Sequence, residues 1–285
     1  MNIASQDALD RTEAALAALR SNELRAEPIV GKFDLAHLQA IHRHLFKDIY
    51  AWAGDIRSVD ITKGSTRFAS HEQIVSYAPQ ITRKLAQEQF LKGLTPSIFS
   101  ARAGHYLGEL NVLHPFREGN GRSIREFIGQ LARGAGYDID WRAIERDEMT
   151  QAAIEAYHGD SSRMARLIQS NLQDPERAYV LDLVAATYGH DVQLVRAEAG
   201  HTYAGAVLGL TERYVVQAAT EHVKEIVLHN RRALSGLAGV APGSVVDIRY
   251  PHGAVGIVDM HSGDSAPSHD TQRDMARDHR RDLDR

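Results

Sequence analysis

The sequence predicts a mainly α protein, in which a helical bundle with one β-hairpin precedes a small β-rich C-terminal domain. Three observations support this prediction. Apolar residues recur every three or four positions through most of the first 172 residues, a short alternating stretch interrupts them, and β-favouring runs separated by turn residues follow residue 200. With 43% apolar and 25% charged residues, the chain has the composition of an ordinary globular protein with a sizeable core.

The helices are predicted from apolar spacing. The first covers Phe33 to Tyr50, and Asp34 is placed to cap its start. Other helical patterns cover 71–91, 97–112 and 147–172, and one more follows a glycine-bearing loop and stops near Gly134.

A β-hairpin is predicted between the first two helical stretches. Its first strand is Ile56 to Ile61, its turn is Lys63-Gly64-Ser65, and Arg67-Phe68 lie on the far side. Further along, Asp174-Pro175 is a plausible domain boundary because proline cannot continue a helix.

These patterns predict four regions. Residues 1–172 form the first domain, with its motif-bearing core at 30–172, and residues 173–200 form a helical linker. Residues 201–260 form the small β-rich domain. The charged segment 261–285 alternates aspartate and arginine and is expected to be a disordered tail.

Composition excludes several classes of function. A net charge of −4 gives no overall positive field, so nucleic acid is not expected as a partner. The absence of cysteine excludes disulfides, thiolate metal sites and a cysteine nucleophile. The N-terminal residues do not have the pattern of a secretory signal, and no run of eighteen apolar residues predicts a membrane span, so a cytoplasmic protein is expected.

Twelve residues near the middle of the chain, HPFREGNGRSIR from His114 to Arg125, predict a phosphate-binding site. Backbone N–H groups at a helix start, turned outward by glycines that tolerate positive φ, form a concave anion site that the helix dipole strengthens. Arg122 and Arg125 lie three positions apart in the first turn of that helix, so both can reach successive phosphates. The segment suits a nucleoside triphosphate.

His114 and Glu118 can supply the remaining chemistry of such a site. The ordinary pKa of histidine, about 6.5, makes His114 the natural general base. Glu118 can give one hard oxygen to Mg²⁺, which takes its other ligands from phosphates and water. Asn120 can orient either the loop or the phosphates.

The segment resembles the signature of the Fic family, His-Pro-Phe-x-(Asp/Glu)-Gly-Asn-(Gly/Lys)-Arg with a second Arg shortly after it, and matches every signature position. The resemblance covers roughly residues 30 to 172 and implies a Fic-type helical bundle with a β-hairpin flap. Its upstream part consists of Phe33-Asp34, His42, Leu45-Phe46, Tyr50-Ala51-Trp52-Ala53-Gly54 and Ile56-Arg57.

The resemblance implies a protein adenylyltransferase that uses ATP and Mg²⁺. In such an enzyme the histidine deprotonates a target hydroxyl, which attacks the α-phosphorus of ATP and expels diphosphate, so AMP stays on a Tyr, Ser or Thr side chain. By this resemblance His114 is the base, Glu118 the magnesium ligand and Arg125 the γ-phosphate contact. The other ATP-binding positions are Phe116, Gly119, Asn120, Gly121 and Arg122. The flap that docks the target consists of Ser58, Val59, Asp60, Ile61, Thr62, Lys63, Gly64, Ser65, Thr66, Arg67 and Phe68.

The resemblance also bears on reaction type and regulation. Gly121 favours AMP transfer, because members with lysine there resemble kinases that bind the nucleotide reversed. Many Fic proteins carry an inhibitory helix with Ser or Thr, three residues, then Glu and Gly or Asn, and its glutamate pairs with the arginine matching Arg125. In this chain no Ser or Thr is followed four positions later by Glu. A toxin inhibited by a small antitoxin in a separate chain is therefore implied, and similar bacterial toxins suggest type II topoisomerase subunits as targets.

The C-terminal region resembles the plasmid-associated KfrB domain. The residues concerned are Tyr203–Gly209, Val215–Gln217, His229 and Pro242-Gly243 through Tyr250. This resemblance implies a plasmid or mobile-element context and says little about biochemistry.

Two other functions remain open on the sequence. The chain can be a regulatory or plasmid-associated binding protein with an idle nucleotide site, or a phosphotransferase that uses the same site for phosphate or phosphocholine. A zinc enzyme is not favoured, because no two histidines are spaced at i, i+4 around an acid.

Overall fold

The structure is a computed structural model that describes residues 5–64, 66–189, 192–219 and 225–260. It divides into two compact units, which meet in sequence at Pro175 and Glu176. Ser65 of the predicted flap and the tail predicted for 261–285 lie outside the described residues. None of the helices among the described residues combines the length and apolar character that crossing a bilayer requires.

The first unit is a helical bundle centred on its fourth helix. This helix packs against its neighbours α3, α5, α6 and α7, and an added Cβ at its Gly104 would lie 2.8 Å from the backbone nitrogen of Ala165 on α7. That close approach requires glycine. The α-helices of the unit are α1 (Gln6–Ala26), α2 (Leu35–Phe46), α3 (Ile74–Gln87), α4 (Pro96–Leu113), α5 (Asn120–Gly134), α6 (Arg146–Tyr157) and α7 (Ser162–Ser170).

Local sequence explains where several helices begin and end. Asp34 caps α2 as predicted, because its side chain accepts a hydrogen bond of 2.9 Å from the backbone N–H of His37. The single helix predicted over 147–172 is wrong: two helices form there. Gly159 adopts a φ of 95°, and Asp160 accepts a hydrogen bond of 2.9 Å from Ser162 at the start of α7.

The predicted hairpin is present but shorter than expected. Its strands, β1 (Thr62–Lys63) and β2 (Thr66–Arg67), are antiparallel, with Thr62 opposite Arg67. Residues 56–61 are not a strand, because the backbone N–H of Arg57 bonds to the carbonyl of Pro115 at 2.9 Å instead of to a partner strand. A second short antiparallel pair, β3 (Asp138–Ile139) and β4 (Leu172–Gln173), was not predicted.

The described residues of the second unit form one α-helix, α8 (Pro175–Tyr188), and a seven-stranded sheet. Its strand order is β5-β8-β7-β6-β10-β11-β9, with parallel pairing only of β5 with β8 and of β9 with β11. The predicted linker region thus contains α8 and β5. The strands are β5 (Gln193–Arg196), β6 (Thr202–Leu210), β7 (Tyr214–Ala218), β8 (Glu225–Asn230), β9 (Leu234–Ser235), β10 (Val245–His252) and β11 (Val255–Met260).

Strand alternation gives the sheet two apolar faces. One face packs against Val180 and Val184 of α8, and its residues are Val216, Ile226 and Leu228. The opposite face carries the cluster Val207, Val215, Val246, Ile248, Tyr250 and Val258. This β-rich unit confirms the predicted fold class of the C-terminal region.

Candidate active site

His114 ends α4 in an unusual backbone conformation. Its φ of 47° and ψ of 60° lie in the left-handed region, which costs energy for any residue with a Cβ. Its backbone N–H still bonds to Leu110 at 3.0 Å, so the helix ends in an orderly turn. The imidazole stacks on the ring of Phe68 next to the hairpin, with centroids 3.6 Å apart and an interplanar angle of 16°.

The hydrogen bonding of His114 fixes its tautomer. Nδ1 lies 3.0 Å from the carbonyl oxygen of Asn111, which can only accept, so Nδ1 carries the proton of the neutral ring. None of the described residues bonds to Nε2, which therefore keeps a lone pair. Burial lowers the pKa of His114 to about 4, and the charges of Arg57 and Lys63 also lower it. The ring is neutral near pH 7 and able to accept a proton at Nε2.

The loop after His114 is held by Asn120. Its side chain accepts a hydrogen bond of 2.9 Å from the backbone N–H of Phe116 and donates one of 2.7 Å to the carbonyl of the same residue. Both halves of the amide are thus used inside the loop. Phe116 itself is buried and stacks on His42 at 3.9 Å. Of the two roles considered for Asn120, this geometry matches loop orientation.

Gly119 starts α5 with a φ of 78°. A Cβ at this position would lie 2.4 Å from the ring of Phe46, so both conformation and space require glycine. Its N–H donates a hydrogen bond of 2.9 Å to Oε1 of Glu118, so this helix start already binds a carboxylate. Gly121 is exposed in the first turn of α5.

The two arginines of the first turn differ in their partners. Arg122 bonds through Nη2 to Glu13 of α1 and lies over the ring of Phe46, 4.7 Å from its centroid. No described carboxylate pairs with Arg125. Burial lowers the pKa of Arg125, and the charge of Arg122 adds to this shift. A half-buried guanidinium without a counter-charge is suited to bind an anion.

Glu118 has the exposure that a magnesium ligand needs. Its side chain is 64% exposed, and its Oε1 lies 3.9 Å from Nη2 of Arg122 in the first turn of α5. The described residues contain no cluster of three or more His, Cys, Asp or Glu that could hold a metal by themselves. The site therefore fits an ion that takes one carboxylate from the protein and its other ligands from phosphates and water, as Mg²⁺ does.

Three residues outside the motif complete the site. His42 donates from Nε2 to the carbonyl of Glu118 at 3.0 Å and accepts at Nδ1 from Gly54 at 2.8 Å, and burial lowers its pKa to about 4. Arg57 bonds to the carbonyl of His114 at 2.8 Å. Sequence reasoning quoted His42 and Arg57 but gave them no role, and it missed Glu13, which carries no motif.

The predicted flap lies beside His114. Phe68 contacts the imidazole, and Lys63 is close enough to affect its pKa. Thr62, Lys63 and Arg67 are exposed and Thr66 is half-buried, so the hairpin is accessible for contacts.

Comparison with known proteins finds matches to both units of the chain. Residues 32–132 match the Fic/DOC family and residues 202–259 match the KfrB domain. The protein adenylyltransferase VbhT of Bartonella schoenbuchensis is 58% identical over 174 residues, which are 61% of this chain and 36% of VbhT. The chain thus spans about a third of that relative's length.

Two further relatives are covered by this chain over a larger share of their own length. The probable protein adenylyltransferase Fic of Escherichia coli is 39% identical over 160 residues, which are 56% of this chain and 79% of that protein. The N-terminal Fic domain of a putative cell filamentation protein from Bartonella quintana, solved with bound ADP, has a TM-score of 0.58 and 31% identity over 63% of this chain and 91% of that one. With the complete motif at the start of α5 and these extended matches, the chain belongs to the Fic/DOC family.

Proposed function

We propose that this chain is a protein adenylyltransferase, which transfers AMP from ATP to a hydroxyl side chain of another protein. One observation carries the proposal: the neutral His114, with its Nε2 lone pair unused, precedes a helix start whose Arg125 lacks a described counter-charge. The names of the relatives from B. schoenbuchensis and E. coli support the same activity, and the ADP bound in the B. quintana structure supports ATP as the substrate.

The reaction needs one proton transfer and one displacement at phosphorus. His114 removes the proton of the target hydroxyl at Nε2 while its Nδ1–H stays bonded to Asn111. The hydroxyl oxygen forms a bond to the α-phosphorus of ATP, and the bond from that phosphorus to diphosphate breaks. A positioned base contributes about 10²–10⁴ in rate, and the fixed tautomer keeps the imidazole aligned for this step.

The start of α5 is proposed to bind the phosphates. Backbone N–H groups near Gly119 and Gly121, together with Arg122 and Arg125, provide donors for anionic oxygens. Glu118 would hold Mg²⁺, which neutralises phosphate charge when bound. In the structure Oε1 of Glu118 accepts from the N–H of Gly119 at 2.9 Å. If the carboxylate leaves that N–H to hold Mg²⁺, the exchange frees a donor for the nucleotide.

The target is proposed to dock on the hairpin flap, Ser58 to Phe68. An extended target segment can pair with an exposed strand edge through main-chain hydrogen bonds, which bind without reading much sequence. Phe68 links this edge to the His114 ring. A Tyr, Ser or Thr of the docked segment would then face Nε2. ATP is abundant in the cytoplasm, the compartment in which we expect the reaction.

Regulation is proposed to come from a second chain. No glutamate among the described residues pairs with Arg125, and the sequence has no inhibitory motif. A small antitoxin that inserts a glutamate against Arg125 would compete with the γ-phosphate. The target class suggested by similar toxins, type II topoisomerase subunits, is the first to test.

The test uses ATP labelled on the α- or the γ-phosphate, Mg²⁺ and bacterial lysate with purified topoisomerase subunits. We expect label on protein from α-labelled ATP only, and no label with His114→Ala. His105→Ala is a matched control, because His105 also lies on α4 but outside the site. Label from γ-labelled ATP would indicate a phosphotransferase instead, and equal labelling by His114→Ala would refute the proposal.

A further inference from the structure

Arg57 is a fully buried guanidinium that bonds mainly to backbone carbonyls. Its side chain has an exposure of 0%, and its closest carboxylate oxygen, on Asp60, is 3.8 Å from Nη1. Burying a charge without a close ion pair is costly unless its hydrogen bonds are satisfied. Such an arrangement indicates that the guanidinium is held in place by its backbone hydrogen bonds and not by an ion pair.

The hydrogen bonds of Arg57 join two structural elements. On the hairpin side, Nη1 donates to Val59 at 2.7 Å and Nη2 donates to Ala69, so the guanidinium holds both ends of the hairpin. On the helix side, Nε donates to His114 at 2.8 Å and Nη2 to Leu113 at 3.5 Å. These two carbonyls end α4, where positive charge is favourable.

We propose that Arg57 is a positioning residue, whose guanidinium fixes the hairpin relative to His114 and so sets where a target hydroxyl meets the imidazole. The inference rests on the proposed function. The backbone bonds of Arg57 to Pro115 and of Ala69 to Val112, at 2.9 and 3.0 Å, reinforce the same junction. The stacking of Phe68 on His114 depends on it, because Phe68 adjoins the residue that Nη2 holds.

Lysine cannot replace arginine in this role. A guanidinium is a rigid planar fork with five donors, whereas an ammonium is a point charge on a flexible stem. Arg57→Lys therefore keeps the charge but loses simultaneous contact with both hairpin ends and the α4 terminus. We expect the hairpin to shift while the phosphate-binding start of α5 stays intact.

The experiment compares the parent protein with its variants Arg57→Lys and Arg102→Lys. Arg102 is the matched control, because it is an arginine of α4 whose partners lie away from the hairpin. Its side chain bonds to Glu88 at 2.8 Å and to Tyr106 at 3.5 Å. Three quantities are measured: the Kd of Mg-ATP by calorimetry, the rate of α-label transfer to lysate protein, and the NMR shift of the His114 ring proton on Cε1, which the Phe68 ring current displaces.

For Arg57→Lys we expect transfer to fall about tenfold or more, because a small misplacement of reacting groups has large effects on rate. The Kd of Mg-ATP should stay within about twofold, since the phosphate donors are untouched. The His114 resonance should move towards its free value. Arg102→Lys should change neither transfer nor resonance.

Several outcomes would overturn the inference. Unchanged transfer in Arg57→Lys would do so, and so would equal losses of transfer and Mg-ATP binding, which indicate a merely structural role. If the parent protein transfers no label, the proposed function fails by itself. The NMR signal of His114 then decides the inference, and an unmoved signal in Arg57→Lys overturns it.

If Arg57→Lys does not fold, Asp60→Ala replaces it. Asp60 closes the hairpin base by accepting from His71 at 2.8 and 2.9 Å, and its loss should slow transfer less, in the same direction.

Discussion

His114 is half-buried and His229 is fully buried, and both have lowered pKa values, yet their surroundings differ in one decisive respect. In the second unit, His229 uses both ring nitrogens, Nδ1 with the hydroxyl of Tyr250 and Nε2 with Gln217, each at 2.9 Å. Burial lowers its pKa to about 3. His114 uses Nδ1 alone, and burial lowers its pKa to about 4. A lowered pKa therefore does not identify a site; an unused lone pair beside anion donors does.

The arginines of the two units show the same contrast. Arg213 in the second unit bonds to Glu176 through its backbone N–H and its Nε, both at 2.8 Å. Arg125 in the first unit has no such partner among the described residues. Polar groups in the second unit are used to join α8 and the strands. Around the start of α5, Arg125 and Nε2 of His114 have no such partner among the described residues and remain available to a ligand.

The largest expected effect comes from removing the unpaired arginine. Arg125→Ala should weaken Mg-ATP binding about 100-fold, since it removes charge-assisted hydrogen bonds of about 1.5–3 kcal/mol each. Calorimetric titration measures this. Arg133→Ala is the matched control, because Arg133 lies on the same helix and pairs with Glu126 at 2.7 Å. Equal losses in both variants would remove the distinction between paired and unpaired arginines.

A second prediction concerns the pH dependence of transfer. The neutral His114 is the active form, so kcat/KM should fall when the ring becomes protonated. In the free enzyme this happens as pH falls through the lowered pKa of His114, about 4, and not through the ordinary histidine pKa of about 6.5. At pH 5 transfer should thus be about 30-fold faster than an ordinary histidine would allow. Rates between pH 4 and 8 under Mg-ATP subsaturation test this. A half-maximal rate near pH 6.5 would contradict the burial argument.

A third prediction tests the second unit. Tyr250→Phe removes the hydroxyl bonded to His229 and should lower the free energy of unfolding by about 1–2 kcal/mol, because a buried ring nitrogen loses its partner. Amide hydrogen exchange of β7 and β8 measures it. Tyr203→Phe should cost less, since its hydroxyl accepts only from the exposed N–H of Glu198. AMP transfer per folded molecule should be unchanged, because Tyr250, His229 and Gln217 bond to one another and have a structural role.

The smallest expected effect concerns Glu13, which brings a negative charge to the phosphate-binding turn. Glu13→Gln should tighten Mg-ATP binding about two- to fivefold, because it removes charge repulsion at a partly solvated site while Arg122 still lies over Phe46. Titration at low and high salt measures the change and its screening. Glu23→Gln on the same helix, where Glu23 pairs with Arg20 at 2.8 Å, should have no effect. Weaker binding in Glu13→Gln would show that Glu13 positions Arg122.

Much of the fold was predictable because it depends on local patterns. The apolar spacing of α2 and α4, the cap at Asp34 and the β-favouring runs after residue 200 follow from periodicity and turn residues that are visible in order along the chain. The strands β5 and β9 are not visible in this way, since each is short and acquires its partner only from a distant segment. The hairpin was predicted too long for a similar reason, as Arg57 pairs with Pro115 instead of with a strand.

The sequence by itself determined the chemistry of the site: an imidazole, a carboxylate, a glycine-bearing helix start and the guanidinium groups of Arg122 and Arg125, all within twelve residues. Tertiary structure alone decided how these groups are used. Residues distant in sequence set the surroundings: Glu13 neutralises Arg122, His42 holds the loop, and Arg57 joins the hairpin to His114. The reason is physical, because hydrogen bonding and burial depend on which groups the fold brings together, and spacing along the chain does not record that.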